Sequence, residues 1–172
     1  MNKIEIAIIG TQKSGTSSLN KYLALHPEFV THSSLEFPYF VNDELYHKGY
    51  EHAMGEYFDN SELNSKIIIK SVGIIYDEEA LRRLKDHNPD VKIIITLRHP
   101  VDRAYSAYWY ACRYGWEKEP SFEKSLWQKS QQENWIGNRF CDYINRSEYS
   151  KHIKTVYDHF PERQVLYCSP KI

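Results

Sequence analysis

The sequence predicts an α/β fold in which a parallel, P-loop-like β-sheet is flanked by helices. Short runs of β-branched apolar residues recur along the chain, helical patterns separate them, and a glycine-bearing loop follows the first run. Parallel strands need long crossover connections, which are usually helices, so this alternation is typical of such a sheet. With 172 residues, 41% of them apolar, the chain is expected to form one domain with a hydrophobic core.

Four runs rich in isoleucine and valine are predicted to be strands. Their nearly continuous apolar character is typical of strands that are covered on both faces. They are IEIAIIG (4–10), KIIIK (66–70), VKIIITLR (91–98) and RQVLYC (163–168).

Five helices are predicted where apolar residues recur at helical spacing. Asp77 and Ser121 are suited to N-caps, and Pro100 is suited to the first turn of a helix. The segment 29–62 has no clear period, and a long connection of this kind commonly contributes to a binding site. The predicted helices cover residues 15–25, 77–85, 101–114, 121–133 and 147–160.

Composition excludes several classes of function. Twenty-two basic and 23 acidic residues give a net charge of −1, so no overall field attracts nucleic acid or a membrane surface. No apolar run approaches the roughly 20 residues that span a bilayer, and no signal peptide is evident, so we predict a cytoplasmic protein. Three cysteines without a C-x-x-C pair and eight histidines without a zinc motif predict that no metal is bound.

The first candidate site is the loop that follows the first predicted strand. Gly10 and Gly15 have the G-x-x-x-x-G spacing of a phosphate-binding loop, and the loop leads directly into a helix. A P-loop kinase would carry lysine at Thr16 and a strand-end aspartate for Mg²⁺, whereas here the lysine is Lys13 and no strand ends in aspartate. A P-loop nucleotide or nucleoside kinase therefore remains only an alternative, as does a simple glycine turn with a surface lysine.

The second candidate site begins at the end of the third predicted strand. Arg98 follows the strand, and Ser106 lies eight residues later, about two helical turns along and on a similar face. A guanidinium can bind two phosphate oxygens at once, which suits recognition of a phosphate group. An ion-paired arginine and an ordinary helical serine are the alternative.

The segments GTQKSGTSSLNKYLALHP and LRHPVDRAYSAYW resemble the two nucleotide-binding motifs of sulfotransferases that use 3′-phosphoadenosine 5′-phosphosulfate (PAPS). They are most similar to the heparan sulfate N- and 3-O-sulfotransferase branch and its bacterial relatives. The resemblance implies that Lys13 stabilises the leaving phosphate, that Arg98 and Ser106 bind the 3′-phosphate, and that Arg103 is either a ligand contact or part of a structural salt bridge. The implied donor-binding residues are Lys13, Ser14, Gly15, Thr16, Ser17, Ser18, Arg98 and Ser106.

A third segment, SSLEFPYFVNDELYHKGYEHAMGEYF, resembles the acceptor side of the same enzymes. It places Glu36 at the family's catalytic base, with His32 as the alternative base. Lys70 matches the lysine of the family's E-K-S-P-x-Y segment, which implies a catalytic role near donor and acceptor. This chain has Ile69 and Val72 where the family has Glu and Pro, so a strand-end lysine that faces water is the alternative.

The resemblance covers nearly the whole chain, including YSKHIKTVYDHFPERQVLYCS. It implies a single sulfotransferase domain over 1–172 that lacks the family's C-terminal donor-covering segment. The implied reaction moves a sulfuryl group from PAPS to a hydroxyl or amine, expected on a saccharide, and releases adenosine 3′,5′-bisphosphate without a metal. An inactive protein that retains the donor site is a further alternative. One aromatic cluster is expected to be mostly core, with stacking on a base or sugar as the alternative: Tyr105, Tyr108, Trp109, Tyr110, Tyr114 and Trp116.

Overall fold

The structure is a computed structural model and describes residues 2–59, 65–131 and 139–169. Within these ranges, five parallel strands form one sheet. The strands are β1 (Ile4–Gly10), β2 (Phe29–Thr31), β3 (Lys66–Lys70), β4 (Lys92–Thr96) and β5 (Val165–Cys168). Their order is β2-β3-β1-β4-β5, so β1 is central and the loop after it leaves the middle of the sheet's carboxyl edge.

Helices connect the strands, and the predicted α/β class is confirmed. Short 3-10 turns over Ile74–Tyr76, Arg139–Cys141, Asn145–Ser147 and Glu162–Gln164 complete the described connections. The described α-helices are α1 (Thr16–Leu23), α2 (Asp43–Lys48), α3 (Tyr50–Tyr57), α4 (Glu78–His87), α5 (Pro100–Arg113), α6 (Phe122–Ser130) and α7 (Tyr149–His159).

The central strands β1, β3 and β4 are largely buried on both faces, which explains their isoleucine-rich runs, whereas β5 is partly exposed. Side chains of β1 alternate between the faces: Ala7 and Ile9 join the larger core cluster, whereas Ile8 joins a smaller one with Ile68 and Ile94. Helix α1 packs against the smaller cluster. Since burial of one isoleucine contributes about 1.5 to 3 kcal/mol, these positions hold the central strands firmly beneath the loop.

Three predicted helix starts are confirmed. The Asp77 carboxylate accepts the N–H of Ala80 at 3.1 Å, and the Ser121 hydroxyl accepts the N–H of Lys124 at 3.3 Å. Pro100 is the first residue of α5, where its missing N–H leaves no helical hydrogen bond unmade. Helix α6 ends at Ser130, and the predicted end at residue 133 lies outside the described residues.

Strand β2 and helices α2 and α3 were missed because all three are short and lack a clear sequence period. Helices of this length are marginal alone, so tertiary contacts must hold them. Arg83 of α4 supplies one such contact for α2: it pairs with Asp43 at 2.6 Å and lies 4.3 Å from the Tyr46 ring centroid.

A search for membrane-spanning helices covered the described part of the chain. None of the helices there is both long enough and apolar enough to cross a bilayer.

Candidate active site

The segment from the end of β1 through the first turn of α1, residues 10–18, is called the anion loop. Gly10 is required by space, because a Cβ at this position would lie 2.7 Å from Cγ2 of Ile75. Gly15 is required by conformation, since its φ of 87° lies in the left-handed region. Lys13 also has a positive φ, of 67°, which is uncommon for a residue with a side chain and is typical of functional loops.

Hydrogen bonds beneath the anion loop hold its shape. The Thr11 hydroxyl donates to the Thr96 carbonyl at 3.0 Å and contacts the Ser14 hydroxyl at 2.7 Å. The Thr11 N–H also donates to the Thr96 carbonyl, at 2.9 Å, which ties the loop to the end of β4. The Ser14 side chain is therefore buried and turned inward, unlike those of Ser17 and Ser18.

Lys13 lies in an electropositive part of the site. Its Nζ is 4.3 Å from the ring centroid of Tyr110, and its side chain is half-buried. Burial lowers the pKa of Lys13, and the charges of Arg98 and Arg113 lower it further. Because these cations repel one another, a bound anion would be stabilised beside them.

Glu36 is held by contacts from two elements. One oxygen accepts from the Lys70 ammonium at 2.7 Å, and the other accepts from the Val72 N–H at 2.9 Å. Lys70 also donates to the Ser17 hydroxyl at 3.2 Å, which links Glu36 to the anion loop. The Lys70 side chain is only 3% exposed, so the alternative of a lysine that faces water is wrong.

His32 lies next to this pair but uses both of its ring nitrogens. Nε2 lies 3.1 Å from the backbone N–H of Lys70 and must accept from it, so the proton is on Nδ1, which donates to the Ser34 carbonyl at 2.9 Å. The ring is 4% exposed, and burial lowers the pKa of His32 to about 4. His32 is therefore neutral near neutral pH and has no free lone pair.

Arg98 lies two residues before α5, and Ser106 lies in the middle of that helix. The Nε of Arg98 is buried and has no hydrogen-bond partner among the described residues, which suits a group that waits for a ligand. Tyr149 donates to the Arg98 carbonyl at 3.0 Å and so fixes the backbone. Ser106 faces the same cleft as the anion loop.

The described contacts of Arg103 are structural, although one buried nitrogen, Nη1, has no hydrogen-bond partner among the described residues. Arg103 is fully buried and donates to the Ser147 hydroxyl at 2.8 Å and to the Tyr143 carbonyl, so it joins α5 to the 145–147 turn. Within the described ranges it forms no salt bridge. The predicted structural role holds, but hydrogen bonds to neutral groups provide it.

Arg146 supports the anion loop from below, and no sequence motif indicated it. Its guanidinium donates to the Gln12 side-chain oxygen at 3.1 Å and lies between the rings of Tyr76, at 4.4 Å, and Phe140, at 5.3 Å. The side chain is 4% exposed, and burial lowers the pKa of Arg146 to about 10. The buried cation and its contact with Gln12 both stabilise the residue before Lys13.

A cleft of about 470 Å³ opens above the anion loop at the carboxyl edge of the sheet. Ser14, Arg98 and Lys70 do not line it, although Lys70 lies directly behind Glu36. A second cavity of about 470 Å³, near Asn2 and Lys66, contains no predicted site residue. Ligands of parallel sheets bind at the carboxyl edge, so the first cleft is the candidate site. Its lining residues are Gln12, Lys13, Gly15, Thr16, Ser17, Ser18, Leu35, Glu36, Val72, Ser106, Tyr110, Trp116 and Phe140.

The expectation that most of the aromatic cluster is core is wrong. Tyr108 is fully buried and Tyr110 is half-buried, but Tyr105, Trp109 and Tyr114 are exposed. Trp116 is 40% exposed and lines the cleft. Helical spacing predicted packing against the sheet, whereas α5 buries mainly its alanines and Tyr108 and leaves the larger rings on its outer face and at its end. The exposed or half-exposed rings are Tyr105, Trp109, Tyr110, Tyr114 and Trp116.

Within residues 2–59, 65–131 and 139–169, no cluster of three or more His, Cys, Asp or Glu side chains is suited to hold a metal ion.

The fold and the cleft define a class of protein: a parallel α/β protein with a glycine-bearing loop of phosphate-loop spacing after the central strand. Comparison with protein-family models matches residues 3–169 to the family described as the sulfotransferase domain. The chain therefore belongs to the sulfotransferase family, and the resemblance drawn from its motifs is confirmed.

Similar proteins agree with this family. The bifunctional heparan sulfate N-deacetylase/N-sulfotransferase 4 of Mus musculus is 37% identical over 108 residues, which is 60% of this chain and 12% of the relative. The corresponding enzyme 2 of Bos taurus is 28% identical over 169 residues, which is 92% of this chain and 19% of the relative. This chain thus spans only a small part of either relative.

A solved structure shows the same fold. The sulfotransferase from Alicyclobacillus acidocaldarius matches with a TM-score of 0.82 and 28% identity. The match covers 97% of this chain and 73% of that chain. The sulfotransferase fold that the resemblance implied is therefore confirmed.

Proposed function

We propose that the protein is an enzyme that transfers a sulfuryl group from PAPS to a hydroxyl or amine, with a saccharide as acceptor. Membership of the sulfotransferase family supports the reaction class. The observation that carries the proposal is the Glu36 carboxylate, which Lys70 and Val72 hold at the wall of the cleft that also contains Lys13. The Glu36 carboxylate and the Lys13 ammonium therefore face the same cleft, as a base and a cation must for transfer to a neutral nucleophile.

PAPS supplies the sulfuryl group and a phosphate leaving group, and the chain supplies the contacts around them. Backbone N–H groups at the start of α1 and the hydroxyls of Thr16, Ser17 and Ser18 bind the 5′-phosphosulfate. Arg98 and Ser106 bind the 3′-phosphate. The buried, unpartnered Nε of Arg98 supports this fit, because such a donor costs stability unless a ligand accepts from it.

Glu36 takes the acceptor proton while the acceptor oxygen or nitrogen forms its bond to sulfur. The bond between sulfur and the bridging oxygen breaks, and that oxygen remains on the phosphate of adenosine 3′,5′-bisphosphate. Lys13 stabilises the negative charge that develops on the departing phosphate. Lys70 fixes the orientation of Glu36 and connects it to Ser17, so it acts beside both donor and acceptor.

His32 is the weaker candidate for the base. Both of its ring nitrogens are engaged, and its lowered pKa makes it a poor proton acceptor near neutral pH. We therefore assign the base to Glu36. His32 instead holds the Lys70 backbone and the 32–36 segment together.

Two alternatives have distinct signatures. A P-loop nucleotide or nucleoside kinase would need a lysine after Gly15 and a strand-end carboxylate for Mg²⁺, and the described strands β3 and β4 end in Lys70 and Thr96. A catalytically inactive protein would bind the donor but form no product.

The cytoplasmic location, the absence of metal and nucleic acid partners, and the single domain over 1–172 stay predictions.

Calorimetry tests the proposal directly. Adenosine 3′,5′-bisphosphate should bind, EDTA should leave its affinity unchanged, and ATP·Mg²⁺ should bind more weakly. Loss of the 3′-phosphate, measured with AMP, should cost about 1.5 to 3 kcal/mol, as expected for a charge-assisted contact. Equal binding of AMP and the bisphosphate would contradict the assignment of Arg98, and a requirement for Mg²⁺ would favour the kinase.

A further inference from the structure

The cleft has two chemically different sides. The anion loop provides hydroxyls, N–H groups and Lys13 on one side. Tyr110, Trp116 and Phe140 form the other side and are called the aromatic wall. Trp116 and Phe140 stack with ring centroids 5.2 Å apart, and the ring of Tyr110 lies 5.9 Å from that of Trp116. The wall is therefore a continuous surface of mutually supporting rings.

The aromatic wall faces the reacting end of the site. Tyr110 lies beneath the Lys13 ammonium, which is assigned to the leaving group. Burial, the neighbouring Tyr114 hydroxyl and the Glu36 carboxylate all raise the pKa of Tyr110, so the base also lies close to this ring. A molecule that presents its hydroxyl to Glu36 would rest the remainder of its surface on the wall.

The charges of the cleft do not suit a densely anionic acceptor. Among its described lining residues, the charged side chains are Lys13, which is assigned to the donor, and Glu36, which would repel a carboxylate. Leu35 and Val72 add apolar surface beside Glu36. Apolar ring faces gain from burial against aromatic side chains, whereas a carboxylate or sulfate would find no further cation among the described lining residues, since Arg98 and Arg113 act beside Lys13.

We propose that the acceptor is an uncharged saccharide whose ring packs against the aromatic wall and presents a hydroxyl to Glu36. This inference rests on the proposed function and narrows its acceptor class to saccharides without carboxylate or sulfate groups. Contact with the wall, rather than ion pairing, selects the acceptor.

Calorimetric titration into the protein saturated with adenosine 3′,5′-bisphosphate tests the inference without requiring turnover. The probes are chitotetraose, which is uncharged, and a heparosan tetrasaccharide, which carries carboxylates. Chitotetraose should bind more tightly, and its affinity should change little between about 50 and about 300 mM NaCl, since it forms no ion pairs that salt could screen.

Variants at one ring position connect the binding to the wall. Trp116→Ala should weaken chitotetraose binding by at least about tenfold, whereas Trp116→Phe should keep most of the affinity because it preserves a ring. Trp127→Ala is the matched control: Trp127 lies on α6, is 67% exposed and does not line the cleft. It should leave both affinities unchanged.

Several results would overturn the inference. One is tighter binding of the heparosan tetrasaccharide than of chitotetraose, and another is unchanged chitotetraose affinity in Trp116→Ala. A third is a larger loss of chitotetraose affinity in Arg139→Ala than in Trp116→Ala, because Arg139 is the exposed cation 6.0 Å from the Phe140 ring. Binding of adenosine 3′,5′-bisphosphate without chitotetraose would refute this inference alone. Failure of the wild-type protein to bind the bisphosphate would refute the proposed function as well.

Discussion

Replacement of Glu36 by glutamine tests the proposed base with the least change in shape. The carboxylate accepts from Lys70 at 2.7 Å on one oxygen and from the Val72 N–H at 2.9 Å on the other. A glutamine amide has one accepting oxygen and no basic form, so it loses at least one of these contacts and cannot take a proton. Loss of a general base lowers the rate by about 10²- to 10⁴-fold. That range corresponds to about 3 to 5 kcal/mol in the barrier.

Transfer of labelled sulfate from PAPS measures this loss, and calorimetry measures donor binding. We expect Glu36→Gln to lower kcat by that factor while the Kd of adenosine 3′,5′-bisphosphate changes by less than about threefold. Glu28→Gln is the matched control, because Glu28 is an exposed glutamate that pairs with Lys66 outside the cleft. Near wild-type transfer by Glu36→Gln would refute the assignment. If Glu36→Gln were active and His32→Ala inactive in the same assay, the base would be His32.

Three further predictions concern the loop and the fold. Lys13→Ala should lower kcat by about 10² or more with a smaller loss of bisphosphate affinity; single-turnover rates measure this, and unchanged turnover would contradict it. Arg146→Met should weaken the binding of adenosine 3′,5′-bisphosphate by about tenfold in calorimetry. Arg146→Lys should restore only part of this affinity, because lysine lacks the planar guanidinium. Full affinity in Arg146→Lys would show that the positive charge alone matters. Burial lowers the pKa of His32 and His87 from 6.5 to about 4, so between these values only the unfolded chain binds the protons and stability falls as pH drops. Urea unfolding should show a loss of about 2 kcal/mol per histidine from about pH 7 to about pH 5, and His87→Gln should remove about half of the total; a flat profile would contradict this.

The central sheet could be predicted because its strands carry their own signal. β1, β3 and β4 are largely covered on both faces, so each is rich in isoleucine, with Glu5 an exposed exception in β1. Edge strand β2 has only three residues, Phe29–Thr31, and no such run. Helix α2 depends on Arg83 from a distant part of the chain, and no local pattern contains that contact.

Some residues of the candidate site could be predicted from the sequence, and others could not. Lys13, Glu36 and Ser106 belong to contiguous motifs, and the structure brings all three to one cleft. Trp116 and Arg146 reach the cleft or its underside through tertiary packing, across separations that a motif does not span. Their chemistry could be identified only after the fold had placed them.

The central position of β1 also determines which strands of the sheet should unfold locally first. β1 is hydrogen-bonded to β3 on one side and to β4 on the other, whereas among the described strands β2 and β5 each have one neighbour. Local opening begins where fewest contacts must break, so amide hydrogens of β2 and β5 should exchange with solvent before those of β1. The anion loop starts at a strand that should exchange slowly, so we expect it to stay assembled while the edges of the sheet open.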